Sequence, residues 1–222
     1  MIPRQDFDED FGLTGLTKYL AMHLDLRDEP GCLELATALL EHQGNPAYAE
    51  EVLDDVERLT RSPLTDDALS ALWLAACNAR FDPARSGLRM RVWLDRLAET
   101  CTAHLRRNDP SFEPARSRPA DHPDLREAVL AELRGVAPAL AEKAVGSLCV
   151  PPLPQLVPSL EAAVTALGPD LGFRLVLRAM KVYFVRIGPA RLARLEGIGR
   201  LLGYHDRVVE DGNLNIRSDL ED

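Results

Sequence analysis

Apolar residues recur every three or four positions along most of this chain, the spacing that predicts amphipathic helices. The clearest example lies in the segment 83–107, where one face is apolar and the others are charged. The predicted core face of this segment consists of Met90, Trp93, Leu94, Leu97, Cys101, His104 and Leu105. Further helices are expected near residues 13–24, 31–43, 65–80, 124–134 and 138–148.

Several segments begin with a residue that can cap a helix, followed at once by proline. Asn45 precedes Pro46 and Asp82 precedes Pro83, the order preferred at N-cap and N1. A third helix is expected to open at Gly188-Pro189. Pro158 is expected to open a helix that stops at Gly168, since glycine is the favoured residue after a helix end.

These patterns predict an all-α protein, either an irregular multi-helix bundle or a solenoid-like array of about nine or ten helices. We find no repeat of fixed length. The only strand signal is at 208–216, where Asp211-Gly212 separates two short segments that contain apolar residues. This pattern is typical of a short C-terminal β-hairpin, and an ordered tail is the alternative.

Residues 108–123 interrupt the helical pattern. They are polar and carry four prolines, Pro110, Pro114, Pro119 and Pro123. The break predicts a linker between an acidic N-terminal helical unit, 1–107, and a C-terminal helical unit with an acidic tail, 124–222. The alternative is a long loop inside one helical domain, because the helices on both sides are apolar enough to pack together.

The cysteines and the apolar stretches indicate a cytoplasmic protein. Four widely spaced cysteines, Cys32, Cys77, Cys101 and Cys149, are typical of buried, reduced thiols. The longest charge-free stretch, 144–160, contains four prolines and is therefore not expected to cross a membrane. The N-terminus shows no apolar leader, and the preference for Ala, Leu, Arg and Pro suggests a bacterial source.

Charge is distributed unevenly along the chain. The formal net charge is −9, yet residues 1–60 carry 14 acidic and 4 basic side chains, whereas residues 170–207 carry 3 acidic and 8 basic ones. An acidic protein of this kind is not expected to bind nucleic acid, because phosphate binding requires a dominant cationic surface. The acidic N-terminal part would instead attract a basic protein.

The basic residues of segment 173–187 form a stripe on a helix that is otherwise apolar. Arg174, Arg178 and Lys181 fall between two apolar patches when the segment is placed at 100° per residue. One interpretation is that the stripe pairs with acids of the N-terminal half or meets solvent. The other is that it lines a binding site for an anionic or acyl small molecule or for an acidic partner.

A second candidate site is acidic. Glu50, Glu51, Asp54 and Glu57 follow helical spacing after Pro46 and form one acidic face. In the same segment, Asp54, Asp55 and Glu57 resemble a carboxylate cluster that could hold Mg²⁺, but only with a second acidic site. We therefore expect a solvated acidic face, available to a protein partner, and no metal.

Known catalytic signatures are absent: the sequence has no phosphate-binding loop, nucleophile elbow or HExxH motif. We therefore expect a non-catalytic helical interaction module of the bacterial cytosol, without a cofactor: an adaptor, a regulator or an immunity-type inhibitor that masks a basic partner. The alternative is a small all-α enzyme or ligand-binding protein with an apolar pocket edged by Arg174, Arg178 and Lys181. A homodimer formed through the C-terminal helices is a third hypothesis.

Overall fold

The computed structural model describes residues 7, 9–26, 28–114, 122–146 and 151–220. Within them, ten α-helices and a two-stranded sheet follow one another along the chain, which confirms the all-α prediction. The helices are α1 Gly12–Met22, α2 Glu29–Gln43, α3 Pro46–Arg61, α4 Asp66–Ala76, α5 Met90–Asn108, α6 Pro123–Gly146, α7 Leu156–Leu167, α8 Pro169–Val182, α9 Pro189–Leu201 and α10 Asp206–Val209. The strands are β1 Arg186–Ile187 and β2 Asn215–Ile216.

Helix α3 lies between α1 and α5, and α2 packs against all three of these helices. Helices α7 and α8 pack against each other and against α4 and α6, while α9 and α10 close the C-terminal side. The buried apolar residues form a cluster that contains members from both sides of segment 108–123. The division of the chain at this segment stays a prediction, and residues 115–121 lie outside the described part.

The signals at Asn45 and Gly188 begin α3 and α9 as the sequence predicts, whereas α7 starts at Leu156, before Pro158, and ends before Gly168 as expected. The Asn45 side chain accepts a hydrogen bond from the backbone N–H of Ala47, at 3.0 Å, and so begins α3. The seven residues of the predicted core face at 90–105 are all buried in α5. The helix expected from Pro83 starts later, however, because a 3-10 turn at Pro83–Ser86 ends at Gly87 in the left-handed conformation, with φ of 72°.

Two predicted helices, 124–134 and 138–148, form a single helix, α6. Its Pro138 removes one backbone donor, whose helical acceptor would be the carbonyl of Arg134. Both residues are exposed, so water can satisfy that carbonyl and the helix continues. Residues 147 and 148 lie outside the described part.

The C-terminal hairpin expected at 208–216 is replaced by a different pairing. Residues 206–209 are helical, and β2 pairs in parallel with β1, so that Arg186 lies opposite Asn215 and Ile187 opposite Ile216. The partner strand is therefore distant in sequence, which a local turn signal cannot reveal.

Segment 173–187 also differs from the single helix expected there. Helix α8 starts earlier, at Pro169, and ends at Val182, and Phe184 follows in the left-handed region with φ of 49°. This conformation is costly for a bulky residue. It is fixed by a hydrogen bond from the Val185 N–H to the Met180 carbonyl, at 3.0 Å, and by the Asn215 amide, which donates to the Phe184 carbonyl at 3.0 Å.

Phe184→Gly is therefore expected to raise the free energy of unfolding by about 0.5–1 kcal/mol, because glycine adopts positive φ without a penalty and the Phe184 ring, 64% exposed, buries little surface. Urea unfolding measures the change. Gly203→Ala is the matched control: Gly203 has φ of 76° and open space around it, so this substitution should destabilise by a similar amount. A destabilised Phe184→Gly variant would contradict the prediction.

Candidate functional site

The first candidate site is built around a buried ion pair between α8 and α3. Arg174 is 1% exposed, and its two terminal nitrogens donate to the two carboxylate oxygens of Asp55, at 2.6 and 2.7 Å. One of them also donates to the Phe11 carbonyl at 3.1 Å, and the guanidinium lies 4.5 Å from the centre of the Phe11 ring. Burial opposes the charge, but the field of Asp55 outweighs it and raises the pKa of Arg174.

Asp55 also holds the start of α1. Its carboxylate accepts the backbone N–H of Leu13 at 2.9 Å, in place of the missing side-chain cap at Phe11. Gly12 has φ of 59°, and a Cβ there would lie 2.2 Å from the Asp55 Oδ2 atom. The ion pair therefore joins α1, α3 and α8 and requires glycine at position 12.

Asp170 extends this cluster at the start of α8. Its carboxylate accepts a hydrogen bond from the Tyr204 hydroxyl at 2.5 Å and from Arg58 at 3.3 Å. Arg58 also donates to the carbonyl of Leu167. The C-terminal helices are thus bonded to α3 through charged groups that lie largely out of solvent.

The other two cations of α8 also bond within the molecule. The Arg178 Nε donates at 2.7 Å to the carbonyl of Ala76, at the C-terminal end of α4, where positive charge is favoured. The Lys181 ammonium donates to the Val208 carbonyl at 3.0 Å and lies 3.1 Å from Asp211 and 3.7 Å from Asp10.

The structure thus places all three stripe residues, Arg174, Arg178 and Lys181, in the interior, with Asp55 and Asp10 of the N-terminal half among their partners. Pairing with acids of the N-terminal half is the first of the two interpretations that the sequence analysis offers for this stripe. A ligand-binding role for these three residues stays a prediction.

Asp211 connects the C-terminal segment to α1 and α8. It accepts hydrogen bonds from Lys18, at 2.8 Å, and from the Asn213 N–H, and it pairs with Lys181. Burial raises the pKa of Asp211, but Lys181 and these hydrogen bonds outweigh it and lower the pKa from 3.8 to about 2.

The carboxylate of Asp211 should therefore stabilise the fold above its unfolded pKa, and this contribution should be lost as pH falls from about 4 toward about 2. Asp211→Asn is expected to reduce the free energy of unfolding by about 1–2 kcal/mol at pH 6, and the difference from wild type should shrink in that acidic range. Urea unfolding at several pH values measures it. Asp25→Asn, at an exposed position, is the control, and a difference for Asp211→Asn that does not change with pH would contradict the prediction.

The predicted acidic face of α3 is only partly open to a partner. Glu50 is exposed and Glu51 is half-buried. Asp54 lies 3.5 Å from Arg58, and Glu57 lies 2.5 Å from Arg61. Partner binding by these acids stays a prediction, with Glu50 as the most accessible of the four.

The structure reveals a further surface that sequence reasoning did not select, at the junction of α1 and α2. Met22 and Leu24 are 64% and 72% exposed, and the exposed acids Asp25 and Glu34 lie nearby in the sequence. Residues 19–57 contain ten acidic side chains and one basic one, Arg27. The excess of acidic over basic side chains in residues 19–57 is the sequence signal that could have identified this surface.

Beside this junction lies a groove of about 560 Å³, which we call the α1–α2 groove. Its walls include the aromatic residues Tyr19 and Tyr48, and Met22 lies at the end of α1. Glu9 and Asp10 contribute carboxylates. Apolar walls with a few charged groups are typical of a site that holds one side chain or a small ligand.

In the described part of the chain, no group of three or more His, Cys, Asp or Glu side chains is arranged to hold a metal ion. Cys32, Cys77 and Cys101 are buried and unpaired, and burial raises the pKa of Cys77 to about 11. Cys149 lies outside the described residues. None of the described helices has the length and apolar character needed to cross a membrane.

Residues 16–101 match a family model described as CdiI immunity protein. The match covers less than half of the chain, from α1 to α5. No curated protein and no solved structure matches the sequence. The similarity supports an immunity-type inhibitor, a non-catalytic protein that acts by binding another protein. The matched stretch contains Asp55, the four acids of the α3 face and the exposed α1–α2 junction.

Proposed function

We propose that this chain is an immunity-type inhibitor that binds a toxin protein inside the bacterial cytosol and blocks the toxin's active surface. The observation that carries the proposal is the similarity of residues 16–101 to CdiI immunity protein, a family whose members bind a partner toxin. The absence of known catalytic motifs from the sequence agrees with a role in binding.

The electrostatics of the matched stretch support a basic partner. Many acids of α2 and α3 are bound to arginines of the same chain, among them Glu29 to Arg96 and Glu57 to Arg61. Three other acids of the matched stretch remain exposed: Asp25, Glu34 and Glu50. Exposed acids of this kind would steer a basic toxin toward α1–α3 and speed its association.

The internal ion pairs have a separate role in this proposal. Asp55 fixes the start of α1 to α3 and α8, so the α1–α2 surface is held in place by a buried bond rather than by surface packing alone. A preorganised surface binds more tightly because less conformational entropy is lost on binding. The C-terminal helices would then serve as the support for the binding surface.

Native mass spectrometry of the protein, purified gently from its own host, tests the proposal. We expect a complex with a second protein, and co-expression with this chain should restore the growth of cells that make that protein. A chain that carries only a small molecule and gives no growth rescue would contradict the proposal and favour the ligand-binding alternative with Arg174, Arg178 and Lys181. The same spectrum reports whether the chain forms the predicted homodimer.

A further inference from the structure

We propose that the α1–α2 groove receives an arginine side chain of the toxin partner. This inference rests on the proposed function and specifies which type of toxin side chain binds in the groove. It starts from the negative groups around the groove. Glu9 and Asp10 line it, and the Glu9 side chain is 63% exposed, so it can accept a further hydrogen bond.

Asp10 supplies an unsatisfied acceptor. Its side chain is only 4% exposed, and its Oδ2 atom is buried with no hydrogen-bond partner among the described residues. The other oxygen lies 3.7 Å from the Lys181 ammonium, which is beyond hydrogen-bond distance. A buried carboxylate oxygen without a donor is costly, and a guanidinium that enters the groove and displaces the side chains covering this oxygen would supply one.

Two helix C-termini add to the negative potential. Helix α1 ends at Met22, and α2 ends at His42 and Gln43. All three of these residues line the groove. The last turn of α1 contains no basic residue, and that of α2 contains only His42. The C-terminal end of a helix carries partial negative charge, so both ends favour a cation in the groove.

Positive groups at the groove are already engaged. The ammonium of Lys18 donates to Glu9 at 3.1 Å and to Asp211 at 2.8 Å. The N-terminus of α3 also reaches the groove at Asn45, but the Asn45 side chain accepts the Ala47 N–H and so satisfies one of its free donors. Lys18 offsets part of the charge of Glu9 and Asp211, so the preference for a cation rests on the unbonded oxygen of Asp10, the exposed carboxylate of Glu9 and the two helix C-termini.

The apolar walls distinguish arginine from lysine or a metal ion. Tyr19, Tyr48 and Phe7 line the groove together with Met22 and Leu39. A planar guanidinium can stack on aromatic rings and bond a carboxylate at its edge, whereas an ammonium is more strongly hydrated. Buried arginines are also frequent anchors of protein interfaces.

The probe for a first test is the ethylguanidinium ion, titrated into ¹⁵N-labelled protein at constant ionic strength. We expect saturable amide shifts at Gly15, Tyr19, Met22 and His42, with ethylammonium binding at least threefold more weakly and sodium chloride causing no such shifts. Equal shifts with all three salts, or shifts spread over the molecule, would overturn the proposal.

Met22→Lys is the main variant, because Met22 is 64% exposed and the substitution places a competing cation at the groove. It should weaken ethylguanidinium binding at least tenfold. Leu201→Lys, at a residue 74% exposed on α9, makes the same kind of change elsewhere and should leave binding unaltered. Asp10→Asn should weaken ethylguanidinium binding to a similar degree. If that variant does not fold, Met22→Lys alone tests the proposal. Wild-type affinity in Met22→Lys would overturn the proposal.

Arginine footprinting of the toxin complex separates a protein arginine from a free guanidinium ligand. Phenylglyoxal should modify one toxin arginine in the free toxin and in the Met22→Lys complex, but not in the wild-type complex. A wild-type complex in which no toxin arginine is protected would overturn this inference and leave the proposed function intact. Failure to form any complex would instead count against the proposed function.

Discussion

Replacing Asp55 by alanine is expected to lower the free energy of unfolding by about 3–5 kcal/mol. The substitution leaves the Arg174 guanidinium charged, fully buried and without its two carboxylate bonds, and it removes the acceptor of the Leu13 N–H. Domains are stable by only about 5–15 kcal/mol, so a loss of this size can leave a measurable fraction of the molecules unfolded at 37 °C. Urea unfolding followed by circular dichroism measures it.

Two further variants test whether the loss comes from breaking the buried Asp55–Arg174 pair or from removing any carboxylate. Glu57→Ala removes a carboxylate from the same helix, but its partner Arg61 is 56% exposed, so a change of about 0.3–0.5 kcal/mol is expected. The double variant Asp55→Leu with Arg174→Met should recover much of the loss, since apolar residues often replace a buried pair at little cost. A loss below 1 kcal/mol for Asp55→Ala would show that Arg174 finds other acceptors.

This pair also marks how far sequence reasoning could go. The placement of Arg174, Arg178 and Lys181 on one helix is a local property, and all three do lie in α8. The identity of their partners is not local: Asp55 lies 119 residues from Arg174, and Ala76 lies 102 residues from Arg178. Charge counts indicated that the chain carries its own counter-charge, but not which acid meets which base.

The same distinction explains the errors in the elements. The α5 core face and the Asn45 cap depend on neighbours within one turn, and both are present as predicted. The signal at Pro83 misplaced the start of α5, because the 3-10 turn there ends at the left-handed Gly87. The signal at Pro138 wrongly divided α6, because solvent at this exposed position can satisfy the carbonyl that loses its donor. The α1–α2 groove, likewise, forms only when α1 and α2 meet, so sequence spacing could not define it.

Association with the proposed toxin partner should depend most on the exposed acids of the matched stretch. Replacing Asp25, Glu34 and Glu50 together by Asn, Gln and Gln removes three negative charges without touching a buried ion pair. The association rate constant is expected to fall at least tenfold at low salt, because long-range attraction accelerates encounter by about 10- to 1,000-fold in steered complexes. Stopped-flow binding to the toxin measures the rate.

The salt dependence provides the sharper criterion. Since the Debye length is about 8 Å at physiological ionic strength, added salt should slow the wild type strongly and the triple variant weakly, so that their rates converge. The dissociation rate should change little, because exposed charges act mainly on encounter. Asp124→Asn with Glu127→Gln and Glu142→Gln also removes one aspartate and two glutamates, but from exposed positions of α6, outside the matched stretch. If this control slowed association as much as the first triple variant, net charge alone would explain the effect, and the acidic α1–α3 surface would not be the site that the toxin approaches.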